Sequence, residues 1–124
     1  PLATQNGCHA EAIGNGTARV CLPFNAGLTR PGGTISGPAM MALTDYGMYA
    51  ALMGAIGEEV LAVTTNLNIN FLRKPDAVDI IADCRVLKLG RRLAVLEVTL
   101  FSRGQEDPVA HATGTYSIPP KQAD

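Results

Sequence analysis

The sequence predicts an α+β fold in which antiparallel strands wrap around one buried helix. Residues 38–57 are almost all apolar or small, and a helix built from them has apolar side chains on every side. Four later stretches alternate apolar and polar residues, the pattern of strands with one buried face. Because a helix that is apolar all round must be covered, we expect those strands to supply the cover.

The chain begins with an arm and a short strand. Residues 1–16 show no periodicity and end in the turn-forming sequence Gly14-Asn15-Gly16, which predicts a loose N-terminal arm. Alternation over residues 18–24 then predicts a strand with one buried face that stops near Pro23.

The helix has clear start and stop signals. Ser36 and Gly37 offer a cap, and Pro38 suits the first helical turn. Because Gly54 or Gly57 can end the helix, we predict that it runs over residues 38–55.

Four strands follow the helix. Alternation predicts them over residues 61–71, 78–86, 94–100 and 110–118, with turn-forming sequences between the later ones. A chain of 124 residues has no room for a second domain, so residues 1–124 are predicted to form a single one.

The composition excludes several classes of protein. A charged fraction of 17% with 47% hydrophobic residues argues against a disordered chain, and a net charge of −1 argues against binding to nucleic acid or to an anionic membrane. Residues 38–57 are long enough to cross a bilayer, but Asp45 within them favours a buried helix. The odd number of cysteines, 3, predicts a reducing compartment, the cytoplasm. The low charge favours an oligomer.

Histidine and cysteine spacing predicts no metal site. Cys8 and His9 are adjacent rather than spaced as ligands, and the sequence has neither CxxC nor HxxxH. We therefore expect no metal and no other cofactor.

Asp45 is the one charged residue between Arg30 and Glu58. An ionised carboxylate in apolar surroundings is costly unless something compensates it. Asp45, with Met41 and Tyr49 one helical turn away on the same face, is therefore a candidate general base or nucleophile. The alternative is an interface carboxylate that caps a strand or accepts a hydrogen bond from a hydroxyl.

The start of the helix is the second candidate site. The free N–H of Gly37, at the positive end of the helix dipole, can hold a developing oxyanion, although ordinary capping by Ser36 is the alternative. Gly37 and Asp45 are eight residues apart, which is about 12 Å along a helix and too far for both to act on one carbonyl. Two such helices side by side in a dimer would bring the donor of one chain to the carboxylate of the other.

These motifs, in this order, resemble those of the hotdog-fold acyl-CoA thioesterases, and most closely the 4-hydroxybenzoyl-CoA and phenylacetate-pathway branch. The resemblance spans about residues 17–119 and rests on residues 33–37, 43–45, 68–73, 90–98 and 112–116. It implies an antiparallel sheet of five or six strands around a central helix. It also implies subunits paired edge to edge, as a homodimer or a dimer of dimers.

The resemblance implies hydrolysis of a small or medium acyl- or aroyl-CoA thioester. By position, Asp45 would attack the thioester or activate water. The N–H of Gly37 from the other subunit would be the oxyanion donor, and Tyr49 would line the acyl pocket. Coenzyme A would be part of the substrate, not a cofactor.

Two positions depart from the family pattern. Relatives of this branch carry His-Gly-Gly where this chain has Ser36-Gly37-Pro38, and a serine hydroxyl cannot supply imidazole chemistry. Arg30 stands where relatives often have Asn or Gln. The missing imidazole leaves open a non-catalytic acyl-CoA or acyl-carrier binding protein or regulator on the same fold. A hydratase or dehydratase ranks last, because those relatives generally pair a histidine with the carboxylate.

A further set of residues is expected to contact the substrate, because coenzyme A phosphates need cations and the acyl group needs a lining. Each arginine of the set, taken alone, is equally explained as a solvated turn charge. The set consists of Arg30, Met41, Tyr49, Thr64, Asn66, Arg73, Arg91 and Arg92, and Ser36 is counted beside Gly37 and Asp45 as catalytic. Thr64 and Asn66 belong to a polar row on one face of their strand, and the alternatives for this row are hydrogen bonding to a partner sheet and simple exposure to water.

Overall fold

The computed structural model describes residues 6–25, 27, 29–30, 34–57 and 62–120, and in these ranges it contains one long helix and eight strands. The helix is α1 (Gly37–Ile56). The strands are β1 (His9–Gly14), β2 (Thr17–Leu22), β3 (Thr29–Arg30), β4 (Thr34–Ile35), β5 (Val63–Phe71), β6 (Ile80–Leu89), β7 (Leu93–Ser102) and β8 (Ala110–Ser117).

Six strands form one antiparallel sheet in the order β1-β2-β6-β7-β8-β5, and β3 pairs separately with β4. Helix α1 packs across one face of this sheet, against β1, β2, β6 and β7. The α+β architecture and the sheet of five or six strands around a central helix are therefore confirmed. Strand β5 lies at one edge of the sheet, with β8 as its neighbour.

The core lies between α1 and the sheet. Leu43, Met48 and Leu52 of the helix are fully buried, and each large apolar side chain contributes about 1.5–3 kcal/mol when it leaves water. Alternate residues of the sheet meet them, namely Ala18, Val20, Leu22, Ile80, Ala82, Cys84, Ala94, Leu96, Val98, Leu100, Ala110 and Ala112.

Helix α1 begins and ends within one residue of the predicted bounds. The Ser36 side chain accepts a hydrogen bond from the Ala39 N–H (3.3 Å), and Pro38 lies in the first turn. Gly57, with φ 93°, follows the last turn and donates its N–H to the Met53 carbonyl (2.8 Å). No helix in the part of the chain that the structure describes is both long and apolar enough to cross a membrane.

One stripe of α1 remains exposed, which differs from the helix buried on every side that the composition predicts. Met41, Asp45 and Tyr49 lie one turn apart on this stripe, and Met41 and Tyr49 are 42% and 45% exposed. The sheet of a single chain curves around only part of a helix, so the stripe that faces the β5 edge stays open.

The predicted loose arm contains strand β1. It pairs with β2 through a tight turn in which Gly16 adopts φ 81°. Periodicity could not reveal this strand, because all six of its residues are exposed and none has to be apolar. The helix rests directly on β1. A Cβ atom on Gly54 would lie inside van der Waals contact with the carbonyl oxygen of Gly14.

We expect Gly54→Ala to destabilise the protein. The added methyl group must push back the main chain of β1, and such overpacking costs about 1–3 kcal/mol. In an uncrowded helix, alanine instead stabilises by roughly 1 kcal/mol over glycine. Urea unfolding measures the sign, and Ala50→Gly serves as the reference for helix propensity together with the loss of one methyl group that packs against the core. A higher unfolding midpoint for Gly54→Ala would contradict the contact with β1.

The sheet face that points away from α1 carries ion pairs. The Arg19 and Asp83 side chains are 2.8 Å apart, and Glu97 accepts from both Arg85 (2.9 Å) and His111 (3.0 Å). These side chains are partly exposed, so each pair contributes only about 0–1 kcal/mol.

Candidate functional site

Asp45 lies where α1 passes the first residues of β5 and the last residues of β8. The Thr64 hydroxyl donates to Asp45 Oδ1 (3.0 Å). The Tyr116 hydroxyl donates to the same oxygen (2.9 Å) and lies 3.3 Å from the Asp45 carbonyl oxygen. Within the described residues, no hydrogen bond reaches Asp45 Oδ2. Two hydroxyls thus hold one carboxylate oxygen in place, and no described residue donates a hydrogen bond to the other oxygen of this exposed side chain.

The sheet register explains why these two hydroxyls converge. Thr64 of β5 and Tyr116 of β8 are directly opposed in the ladder, so their side chains share one face. The Tyr116 ring is 2% exposed and packs in the core, with its hydroxyl at the rim beside Asp45. Burial, and to a lesser extent the charge of Asp45, raises the pKa of Tyr116, so its phenol stays protonated and donates.

The compensation for Asp45 therefore comes from hydroxyls, one of them 71 positions away in the chain. Asp45 is also exposed at the side of α1 and not enclosed in an apolar interior. Hydrogen bonding from hydroxyls agrees with the interface-carboxylate alternative as well as with a catalytic one. The catalytic interpretation depends on Oδ2, the carboxylate oxygen to which no described residue donates a hydrogen bond.

A bulge in β5 decides which of its residues reach α1. The register with β8 shifts between Thr64 and Asn66, which leaves Thr65 as an extra residue. Before the bulge Thr64 faces Asp45, and after it Leu67 and Ile69 face the core. Asn66 is therefore on the opposite face of the sheet from Thr64. Strict alternation would put Thr64 and Asn66 in one polar row, and the bulge breaks that row, while contact of either residue with a substrate stays a prediction.

The start of α1 lies near the other end of β5. As the first helical residue, Gly37 has an N–H with no acceptor inside the helix. The Ser36 hydroxyl accepts from Ala39 as an ordinary cap, and its own hydrogen remains available to donate. Phe71, 50% exposed, packs against this start: a Cβ on Gly37 would lie 3.5 Å from the Phe71 Cζ atom. The only signal for Phe71 in the sequence is that an aromatic residue ends the alternating pattern of β5.

Asp45 and Gly37 do not meet within one chain. Their separation is eight residues of continuous helix, or about 12 Å. Asp45 lies beside Thr64 at the first end of β5, and Gly37 lies beside Phe71 at the last.

Met41 and Tyr49 of the helix stay a prediction as substrate-lining residues, and the structure gives only their positions. Met41 and Tyr49 are on either side of Asp45, and both are exposed. The side chain of Arg30 lies outside the described part of the structure. Its main chain belongs to β3, which pairs with β4 immediately before the helix start.

The remaining predicted cations occupy turns at opposite ends of the sheet. The Arg73 Nε donates to the Pro108 carbonyl (2.8 Å), so Arg73 helps to hold the loop before β8. Arg91 and Arg92 are exposed in the turn between β6 and β7. The carbonyl of Arg92 accepts from the Ile118 N–H (2.7 Å), which places this turn near the Asp45 end of β8.

We expect Tyr116→Phe to lower kcat for any reaction that uses Asp45. A hydrogen bond to a charged group is worth about 1.5–3 kcal/mol, so the loss should be about ten- to a hundredfold in kcat with little change in KM. Steady-state kinetics measures this, and Tyr46→Phe serves as a matched control because Tyr46 has no hydrogen bond to Asp45 in the described structure. Equal kcat in both variants would show that Tyr116 does not position Asp45.

Cavity size does not identify this site. A groove of about 470 Å³ lies on the sheet face away from α1, with Arg19, Asp83, Arg85 and Glu97 among its lining residues. It contains none of the predicted site residues. The same face carries His9, Glu11 and Cys21, whose ligating atoms lie within 4.8 Å of one another and could hold a metal ion. We assign the candidate active site from the hydroxyls that converge on Asp45.

Comparisons with known proteins agree on one family. The profile of the thioesterase superfamily matches residues 32–109, which include Gly37, Asp45 and Thr64. A candidate thioesterase from Silicibacter sp. TM1040 is 46% identical, with a TM-score of 0.87 over 96% of this chain and 83% of its own. A mutant of the phenylacetic acid degradation protein PaaI from Thermus thermophilus is 26% identical, with a TM-score of 0.82 over 94% of this chain and 97% of its own. A candidate esterase from Saccharolobus solfataricus is 31% identical over 90% of this chain and 73% of its own length.

Proposed function

This chain belongs to the thioesterase superfamily, and we propose that it hydrolyses small or medium acyl- or aroyl-CoA thioesters with Asp45 as the catalytic carboxylate. The observation that carries the proposal is the pair of hydroxyls on Asp45 Oδ1, which hold the carboxylate in place while no described residue donates to Oδ2. Hydrolysis of thioesters generally follows from the family. The acyl-CoA substrate and the residue roles are our inference.

In the proposed reaction, Asp45 Oδ2 takes a proton from a water molecule as the water oxygen adds to the thioester carbonyl. The carbonyl oxygen becomes an oxyanion, which a main-chain N–H can stabilise. Collapse of this intermediate breaks the C–S bond, and the proton held by Asp45 passes to the leaving thiolate. The alternative is direct attack by Asp45 Oδ2 on the thioester carbonyl, with loss of the thiolate. This step would form a mixed anhydride, which water then cleaves.

A second copy of the chain would complete the site. Strand β5 is an edge strand, and a two-fold axis across it would pair it antiparallel with its own copy. The first end of one β5 would then lie beside the last end of the other. Because Asp45 sits at the first end and Gly37 at the last, this pairing would bring Asp45 of one subunit to the free N–H of Gly37 of the other. We propose a homodimer, which can associate further into a dimer of dimers.

The same pairing gathers positive charge around the opening. Arg91 and Arg92 lie near the Asp45 end of the sheet, and Arg73 follows Phe71 at the other end. In the antiparallel dimer, Arg73 of one subunit therefore approaches Arg91 and Arg92 of the other. Phosphates of coenzyme A would bind such a group of cations at the mouth of the site. Met41 and Tyr49 of the exposed stripe would line the acyl group.

The similarity to the phenylacetic acid degradation protein supports an aroyl-CoA thioester as the substrate. Cys8, Cys21 and Cys84 are free thiols, which supports a cytoplasmic location. The proposed reaction uses no cofactor, and it involves neither nucleic acid nor a membrane.

A screen of short, long and aromatic acyl-CoAs, read by liberated thiol, tests the function. We expect saturable turnover of at least one class, and loss of that turnover in Asp45→Asn. Thiol release that Asp45→Asn leaves unchanged would contradict the assignment.

A non-catalytic acyl-CoA or acyl-carrier binding protein is the second candidate. Ser36 favours it, because this position has no imidazole and its hydroxyl already accepts the helix-capping hydrogen bond. Saturable binding of acyl-CoA by calorimetry, with no thiol released over hours, would establish this function in place of hydrolysis.

A further inference from the structure

Three metal-ligating side chains meet on the sheet face opposite α1. His9 of β1 and Cys21 of β2 are direct partners in the ladder. Glu11 follows His9 by two residues, beside an irregularity in β1 between Ala10 and Ala12. The ligating atoms of His9, Glu11 and Cys21 all lie within 4.8 Å of one another. These residues are not spaced as a local motif, because pairing of two strands brings them together.

We propose that His9, Glu11 and Cys21 form a binding site for a zinc-type divalent cation. Imidazole nitrogen, thiolate sulfur and carboxylate oxygen are the ligands that zinc takes in proteins, and three of them leave a fourth position for water. A hydrogen bond fixes the His9 ring. Its Nδ1–H donates to the Gly7 carbonyl oxygen (3.0 Å), which leaves Nε2 as the ring nitrogen with a free lone pair for the metal.

The cluster already holds a positive group from the protein itself. Arg103 Nη2 donates to Glu11 Oε2 (2.5 Å) and lies 3.5 Å from the Cys21 sulfur. Arg103 Nε is also 3.4 Å from Asp79 Oδ2. A metal ion would replace the guanidinium over Glu11 and Cys21, and Arg103 can keep Asp79 as its partner. The arrangement therefore attracts cations, and Arg103 competes with the metal.

The binding step releases one proton. The hydrogen of the Cys21 thiol leaves to solvent as the Cys21 sulfur bonds to the metal, because the thiolate is the form that binds zinc. The bound ion would join β1 to β2 at the edge of the sheet. Because Cys21 alternates with the core residues Val20 and Leu22, it faces away from α1 and from Asp45. This site is thus separate from the proposed catalytic one.

Titration with zinc by calorimetry, and with cobalt(II) by absorbance, tests the site in the full chain. We expect one equivalent to bind and the cobalt form to show a thiolate-to-metal charge-transfer band. His9→Ala and Cys21→Ser should weaken binding about tenfold or more, and the cobalt band should disappear in Cys21→Ser. Cys84→Ser, which changes a cysteine on the core face, should keep both signals.

Arg103→Ala gives the sharpest result, because removal of the competing guanidinium should tighten zinc binding. A merely structural ion pair predicts no gain in affinity from this change. Absence of saturable binding to the parent chain, a cobalt band that persists in Cys21→Ser, or weaker binding in Arg103→Ala would each overturn the proposal. Circular dichroism spectra of the variants test whether each of them is folded.

Discussion

Asp45→Asn is expected to lower kcat for thioester hydrolysis by about 10²–10⁴-fold, the usual contribution of a general base, while the protein stays folded. The asparagine side-chain oxygen can accept the same two hydrogen bonds, from Thr64 and from Tyr116. The Asp45 Oδ2 oxygen is replaced by the amide nitrogen of asparagine, which cannot take a proton from water. The variant therefore removes the proton acceptor and keeps the two hydrogen bonds that position the side chain.

Liberated thiol measured under saturating substrate tests this expectation, with urea unfolding as the measure of stability. Asp83→Asn is the matched control, because Asp83 is an acidic residue on the opposite sheet face, paired with Arg19. Turnover in Asp45→Asn equal to that of the parent would remove Asp45 from the mechanism. Acyl-CoA binding that survives in the same variant would show that the loss concerns catalysis.

Gly37→Pro is expected to lower kcat by about 10²–10³-fold, the effect of losing one oxyanion donor. Proline removes the main-chain N–H that we assign to the oxyanion, and it adds a ring whose Cβ would lie 3.5 Å from the Phe71 Cζ atom. The helix should tolerate the change, because proline suits the first helical position. Ser36, with φ −70° and ψ 150°, already has the extended conformation that a residue before proline requires.

Gly37→Ala is the control for this change. It keeps the N–H, and its Cβ would make an ordinary contact with Phe71 at 3.5 Å, so activity should stay near that of the parent. If the site is shared between subunits, unfolding and refolding a mixture of Gly37→Pro and Asp45→Asn should restore part of the activity. About one site in four would then combine intact groups. No recovery in verified mixed dimers would place both groups in the same subunit.

Much of the fold could be predicted because the sequence marks it locally. Ser36, Pro38 and Gly57 set the ends of α1 through capping rules that act within a few residues. The strands after the helix follow from period-two alternation, since one face of each packs toward the core, with the β5 residues Leu67 and Ile69 only partly buried. Alternation could not predict strand β1, because all of its residues are exposed and none of them has to be apolar.

The candidate site was predicted only in part, because its partners come from remote strands. Asp45 stood out as a lone charge, and Gly37 as the start of a helix. Tyr116 gave no such signal, since a tyrosine on the apolar face of a strand looks like a core residue. A buried phenol does need a hydrogen-bond partner, and that requirement was the available clue. The bulge at Thr65 has no local mark, so Asn66 was assigned to the wrong face.

The position of β5 at the margin of the sheet affects the tendency of the protein to aggregate. A nine-residue strand that no described residue pairs along its outer edge is a template for adding further strands, including those of misfolded neighbours. Pairing with its own copy would occupy that template. Assembly would then protect the chain from aggregation as well as build its chemistry, and substitutions that weaken the pairing would first appear as poor solubility.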